Sequence, residues 1–294
     1  MAVLHTPCSK VSTLFYKRKL CTYNLTMFDL ATKEGQCYLW DETVAKRGSN
    51  EIGSGLIKYM HENQRAKKIW MISDACGGQT RNRFVAMLCI YLVQTMENVE
   101  EIDHMFMVSG HSHMEVDSMH ARIERKSESL NINVPDDWAI VASIARNNPY
   151  IVKFLEQKDV KDLKKLYEEM KVSNVTKNTE GERVHWTTSA TNSYGSDDIV
   201  AWMHYEKKSP GILFYKTCYD EGAPFKQIRV FPRKLRNFDS LTLKQAYNKP
   251  IPLEKKKLDD LLKLCDDGAI PERCHYFYKS LYSMTTDTVA EDDE

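Results

Sequence analysis

Polar and apolar residues alternate through residues 11–42, a stretch rich in aromatic and β-branched side chains. Within it Leu14-Phe15-Tyr16, residues 20–30 and residues 36–40 read as strands, with Lys33-Glu34-Gly35 as a turn. Ser49-Asn50-Glu51 supplies an N-cap and a first-turn acid, so a helix is expected to about residue 63. The run Lys68-Ile69-Trp70-Met71-Ile72-Ser73-Asp74 is short, apolar and closed by an acid, as in a buried parallel strand. Gly77 and Gly78 break the chain. Residues 82–96 then carry apolar positions at helical spacing, and residues 104–109 form a second buried strand. From about Met114, Val116, Met119 and Ile123 make the apolar stripe of another helix.

The pattern changes after Asn133-Val134-Pro135. Residues 136–155 and 160–170 read as helices, the second with Lys and Glu at i,i+4 spacing. Residues 173–198 are polar and irregular, and 199–203, 211–219 and 227–231 read as strands of a smaller unit. A helix over 253–266 precedes Ile270-Pro271. A three-strand meander followed by alternating helices and strands is the order of an RNase H-like mixed α/β sheet flanked by helices, and other mixed α/β folds share it. The expected organisation is an RNase H-like core over 11–135, a C-terminal α+β extension over 136–284 and an acidic, disordered tail over 285–294.

Composition changes this picture little. The 294 residues hold 41 Lys plus Arg against 41 Asp plus Glu, so no global field advertises a nucleic-acid partner. The eight cysteines form no C-x-x-C pair and stand at no zinc-finger spacing. Without a secretory signal, such thiols indicate a reduced, intracellular protein of the cytoplasm or nucleus. No apolar run approaches the roughly 18 residues that a membrane helix needs, so no membrane association is expected.

Three acids hold special positions: Asp29 ends the first long strand, Asp74 ends the buried strand, and Asp117 opens the helix after the next strand. In an RNase H-like topology these places converge at the carboxyl ends of adjacent central strands. Clustered carboxylates there would hold Mg²⁺ or Mn²⁺, two ions about 4 Å apart activating the attacking oxygen and stabilising the leaving one. Each acid also has a plainer reading, Asp29 and Asp74 as turn residues and Asp117 as a solvated helix acid. Asp41, Glu42 and Glu51 are substitutes for a missing ligand, Glu51 also suiting the helix dipole. The densest group is Gly110-His111-Ser112-His113-Met114-Glu115-Val116-Asp117, followed by His120 and Glu124. Asp117 and Glu124 stand two helical turns apart on one face and extend the candidate metal set with His111 and His113. The two histidines could instead cap the helix. A metallophosphoesterase would also need an Asp-x-His and a Gly-Asn-His-Asp/Glu, and neither occurs.

Nucleic acid has two candidate contacts. Arg81 and Arg83, with Gln79, open the helix after Asp74, where a phosphate could sit on the helix N-terminus. Residues 225–238 hold five basic residues, Lys226, Arg229, Arg233, Lys234 and Arg236, with three aromatics and no acid before Asp239. Basic groups meet phosphates and aromatics stack on bases, although a solvated strand face would look the same.

The segments Ile72-Ser73-Asp74-Ala75-Cys76-Gly77-Gly78-Gln79-Thr80-Arg81-Asn82 and His111-Ser112-His113-Met114-Glu115-Val116-Asp117 together resemble an uncharacterised eukaryotic domain family derived from transposable elements. Tyr23-Asn24-Leu25, Trp40-Asp41-Glu42 and Arg47-Gly48-Ser49-Asn50-Glu51-Ile52 are also similar to it, and the resemblance runs from about Leu14 to Leu281. It implies an RNase H-like, transposase-type core of Asp-Asp-Asp/Glu character. The residues carried over are Asp74, Asp117, His111 and His113, while Asp29 is not anchored by a motif. The implied function is metal-dependent cleavage or transfer of DNA strands, in which Asp29, Asp74 and Asp117 hold the ions and a homo-oligomer is possible. The alternatives are a catalytically inactive, domesticated module binding nucleic acid or protein, and a Zn²⁺ site at His111, His113 and Asp117.

Overall fold

In the computed structural model, residues 1–63, 65–108, 113–186, 199–231 and 237–282 are described. In chain order the elements are β1 (Ala2–Thr6), β2 (Leu20–Asp29), β3 (Glu34–Asp41), α1 (Ser49–Glu62), β4 (Lys68–Ser73), α2 (Arg83–Thr95), β5 (Glu101–Phe106) and α3 (Glu115–Ser127). There follow α4 (Pro135–Ser143), β6 (Ile151–Phe154), α5 (Leu163–Glu169), β7 (Trp202–Glu206), β8 (Ile212–Lys216), β9 (Lys226–Arg229), α6 (Lys255–Asp266) and α7 (His275–Ser280). The chain is thus mixed α/β. Its described strands form two mixed sheets, ordered β1-β2-β3-β6 and β4-β5-β7-β8-β9. Two compact units result, one from Met1–Lys46, His113–Lys158 and Tyr247–Glu294, the other from Arg47–Ser112 and Asp159–Ala246. Both units draw on residues before and after 135.

The first unit is built on the alternating segment. β2 and β3 pair antiparallel from Thr22↔Asp41 to Asp29↔Glu34, and β6 adds to β3 in parallel. Gly35 is a glycine because of a close approach: a Cβ there would lie 2.8 Å from both the Met119 and Tyr150 side chains. Cys37, Leu39, Met119, Ile123, Trp138 and Val141 form a core in which α3 and α4 cover the sheet. Two expectations are corrected here. Leu14-Phe15-Tyr16 lies in a 3₁₀ turn spanning Ser12–Tyr16, because only Leu14 finds a core while Phe15 and Tyr16 face solvent. The helix expected over 136–155 stops at Ser143, since Asn147-Asn148-Pro149 cannot continue it, and the β-branched pair Ile151-Val152 enters the sheet instead.

In the second unit β4 and β5 run parallel, joined through α2, and β7, β8 and β9 continue the sheet antiparallel. The meander and the β4–β5 pair, expected as one sheet, belong to two: β6 occupies the edge of β3 and β7 that of β5. Alternation divides the second sheet into unlike faces. Ile69, Met71, Ile102, Met203, Tyr205, Leu213, Tyr215 and Ile228 pack with α2, which buries Val85, Ala86, Met87, Leu88, Cys89, Ile90, Leu92 and Val93. The register places Lys68, Trp70, Ile72, Glu101, Asp103, Met105, Trp202, His204, Phe214 and Lys216 on the opposite face. Among the described residues no helix is long and apolar enough to cross a membrane, and all eight cysteines are thiols.

Asn82 starts α2, its carboxamide oxygen accepting the N–H groups of Phe84 and Val85 at 3.0 and 3.1 Å. Asn82→Ala leaves both donors without that partner and is expected to cost about 1 kcal/mol, whereas Asn82→Gly costs a few tenths. Urea unfolding of the two variants checks this; no loss in Asn82→Ala would show that the side-chain cap contributes nothing to stability.

Candidate functional site

Asp29 and Asp117 both lie in the first unit, and both carboxylates are engaged by nearby backbone. Asp29 Oδ1 accepts the N–H groups of Ala31 at 2.8 Å and Thr32 at 3.2 Å, which shapes the turn out of β2. Asp117 Oδ2 accepts the Met114 N–H at 2.7 Å in a capping box at the start of α3. His120, one turn along, approaches Thr26 Oγ1 at 3.0 Å and ties α3 to β2. Burial pushes the His120 pKa down to about 4, with the Asp117 charge opposing that shift. His113 and Glu124 are exposed, and His111 lies outside the described residues. Of the substitute acids, Asp41 is buried and bonded to Thr43, burial raising its pKa. Glu42 pairs with Lys257 at 2.8 Å. Glu51, in the second unit, caps α1 through the Gly48 N–H.

Asp74 lies in the second unit, just past β4, where the Thr80 hydroxyl stands 2.7 Å from its carbonyl and 3.2 Å from its carboxylate. Ser73 pairs with Phe106, so this loop sits at the carboxyl ends of two parallel strands, the usual place for ligands in α/β sheets. Arg81 follows, its guanidinium 5.9 Å from the Phe106 ring centre and reaching the Val200 carbonyl at 3.4 Å. Burial lowers the Arg81 pKa, and the neighbouring Tyr219, whose hydroxyl donates to the Phe106 carbonyl, partly offsets this. Arg83 lies over the rings of Phe84 and Tyr167. Among the basic residues expected to meet nucleic acid, Lys226 is paired with Glu182 at 2.9 Å and Arg229 is exposed on β9. Arg233, Lys234 and Arg236 lie outside the described residues, as do residues 285–294 of the expected tail.

One group escaped the sequence reading. Glu101 and Asp103 on β5 and His204 on β7 bring three donor atoms within 4.8 Å of one another. The antiparallel register sets Asp103 opposite His204, and Asp103 Oδ1 meets His204 Nδ1 at 2.9 Å and the Trp202 indole N–H at 2.7 Å. Asp103 is only 4% exposed, whereas Trp70 and Ile72, on β4 beside it, are 54% and 47% exposed. Around the group stand further rings: Trp70 lies 5.4 Å from Trp202, Phe225 lies 5.3 Å from Trp202 and 5.4 Å from His204, and Phe214 lies 5.8 Å from His204. The buried Lys216 ammonium sits over Trp202 and Phe225 and donates to the carbonyls of Asp220 and Glu221. Starting the strand at Glu101 would have exposed the acid–apolar alternation Glu101-Ile102-Asp103; the strand read at 199–203 overlaps β7, but nothing local pairs it with β5.

A family model described as a domain of unknown function (DUF7869) matches residues 28–181, just over half of the chain. The chain belongs to the DUF7869 family. No curated protein and no solved structure matches it. The DUF7869 match includes Asp29, Asp74, Glu101, Asp103 and Asp117, and stops short of His204 and Arg229.

In this DUF7869 chain His104, on the helix-covered face of β5, accepts or donates a 2.8 Å hydrogen bond with Ser73 Oγ. Burial pushes its pKa down to about 3 from 6.5. The unfolded chain takes up the proton near 6.5 and the native chain does not until far lower, so the stabilisation is complete above 6.5 and is lost as pH falls toward 3. The expected loss is about 1.4 kcal/mol per pH unit in that window. Thermal melts of the wild type and His104→Gln between pH 7 and 4 test it. A variant with the same acid slope would show that another group, such as His120, dominates.

Proposed function

We propose that the chain is a nucleic-acid-binding module of transposase-derived, RNase H-like ancestry that engages single-stranded DNA on the open face of its second sheet. The observation that carries this reading is the exposed Trp70, with the half-buried Phe214 and Phe225 on the same face, bordered by Lys68 and the exposed Arg229. Rings offered at the sheet surface stack on bases of any sequence, and basic side chains at the border meet phosphates. The local engagement of Asp29 and Asp117 with turn and cap N–H groups favours binding over catalysis. The evenly balanced charge of the chain favours affinity from stacking more than from a broad electrostatic field.

The second reading, metal-dependent DNA strand cleavage or transfer with Mg²⁺ or Mn²⁺, is favoured by Asp74 at the carboxyl ends of β4 and β5. One experiment separates the two. In anisotropy titrations at several salt concentrations, single-stranded DNA binds and Trp70→Ala weakens binding by about 1–3 kcal/mol. Arg229→Ala lowers the slope of log affinity against log salt by about 0.7. Unchanged binding in both variants, or none at low salt, removes the binding reading. Cleavage of the same strand with Mg²⁺ or Mn²⁺, abolished by Asp74→Asn, establishes the second reading in its place.

A further inference from the structure

We infer that Glu101, Asp103 and His204 form a binding site for one divalent first-row transition-metal ion on the open face of the second sheet. The inference goes beyond nucleic-acid binding and uses none of the acids expected to hold ions from the sequence. Its basis is the donor set and the way two strands fix it. Two carboxylates and an imidazole from β5 and β7 place one donor atom each within 4.8 Å of the others. Their Cα positions are set by the β5–β7 ladder, with Glu101 opposite Glu206 and Asp103 opposite His204, so no loop must close to assemble them.

The separations suit a shared ion. Ligands about 2.0–2.1 Å from a metal stand about 3 Å apart around it, and His204 Nδ1 and Asp103 Oδ1 already stand 2.9 Å apart. Asp103 is a buried carboxylate, held in orientation by the Trp202 indole N–H at 2.7 Å. This indole bond would persist as a support to the ligand when an ion binds. The imidazole decides the class of ion: Ca²⁺ and Mg²⁺ prefer all-oxygen sets, whereas Zn²⁺, Co²⁺ and Mn²⁺ accept mixed nitrogen and oxygen. On binding, the proton shared between His204 Nδ1 and Asp103 leaves to solvent and both atoms turn to the metal. Three protein ligands leave a further coordination position open to the face.

A cation already approaches this place. Lys68 Nζ lies 2.6 Å from Glu101 Oε2, and its side chain is largely exposed. A metal must displace that ammonium from Glu101, so Lys68 acts as a competing tethered cation. Removing that ammonium therefore tightens binding of an ion that uses Glu101.

The test uses the full chain with Co²⁺ as the probe, its visible absorption reporting coordination, and Zn²⁺ in competition. The expected result is one equivalent of Co²⁺ bound without a thiolate charge-transfer band, displaced by Zn²⁺. His204→Ala and Glu101→Gln each weaken binding at least tenfold, while Lys68→Met tightens it severalfold. Circular dichroism melts of the apo variants establish that each is folded; Glu101→Gln, at a partly exposed residue, serves if His204→Ala is not. A thiolate band, or binding that survives both Glu101→Gln and His204→Ala, places the ion elsewhere in the chain and overturns the inference. Binding only at millimolar Co²⁺ and insensitive to Lys68→Met overturns it as well. None of these readouts involves DNA, so the site and the nucleic-acid reading stand or fall separately.

Discussion

Strand β5 runs parallel to β4 on one side and antiparallel to β7 on the other, and its side chains must alternate between the two faces. Ile102, His104 and Phe106 turn toward α2, and Glu101, Asp103 and Met105 turn away. The first set is held by the packing of α2, whose helix is apolar almost all round and leaves no room for a slip. A one-residue shift of β5 would drive two carboxylates into the α2 core and lift Ile102 and Phe106 into solvent. Core packing therefore fixes the position of the acidic face, although the acids contribute nothing to that core.

The price of this arrangement falls on Asp103. A carboxylate removed from water is stable only with good hydrogen bonds, and Asp103 has two, from the Trp202 indole and the His204 imidazole. Both donors come from β7, so the strand that completes the sheet also satisfies the charge. The surrounding rings keep bulk water from Asp103 and strengthen these bonds by lowering the local dielectric.

Local pattern carried much of the fold. The acid after the apolar run located β4, the first-turn acid Glu51 located α1, whose N-cap is Gly48 rather than Ser49, and the stripe of Val116, Met119 and Ile123 located α3. It failed where partners are distant or exposure is one-sided: β1 needs the edge of β2, and β6 needs β3. The candidate residues divide the same way. Asp29 and Asp117 stood out because an acid at a strand end or in a first helical turn is conspicuous, but the physics that makes it conspicuous is turn and cap formation, which needs no metal. Asp103 and His204 are separated by about a hundred residues, and only strand pairing brings them together. No local spacing encodes that meeting.

The order of the second sheet leaves β4 and β9 at its margins, each with one side of its backbone lacking a strand partner among the described residues. Such margins invite a strand from another molecule, and exposed Trp70 and Ile72 would reward that addition on β4. Lys68 on β4 is paired with Glu101, Lys226 on β9 is paired with Glu182, and Arg229 is exposed, so both margins carry charged side chains. An incoming strand would have to desolvate these charged groups. Charged side chains at a sheet margin disfavour strand addition from a second copy, whatever the face between them binds.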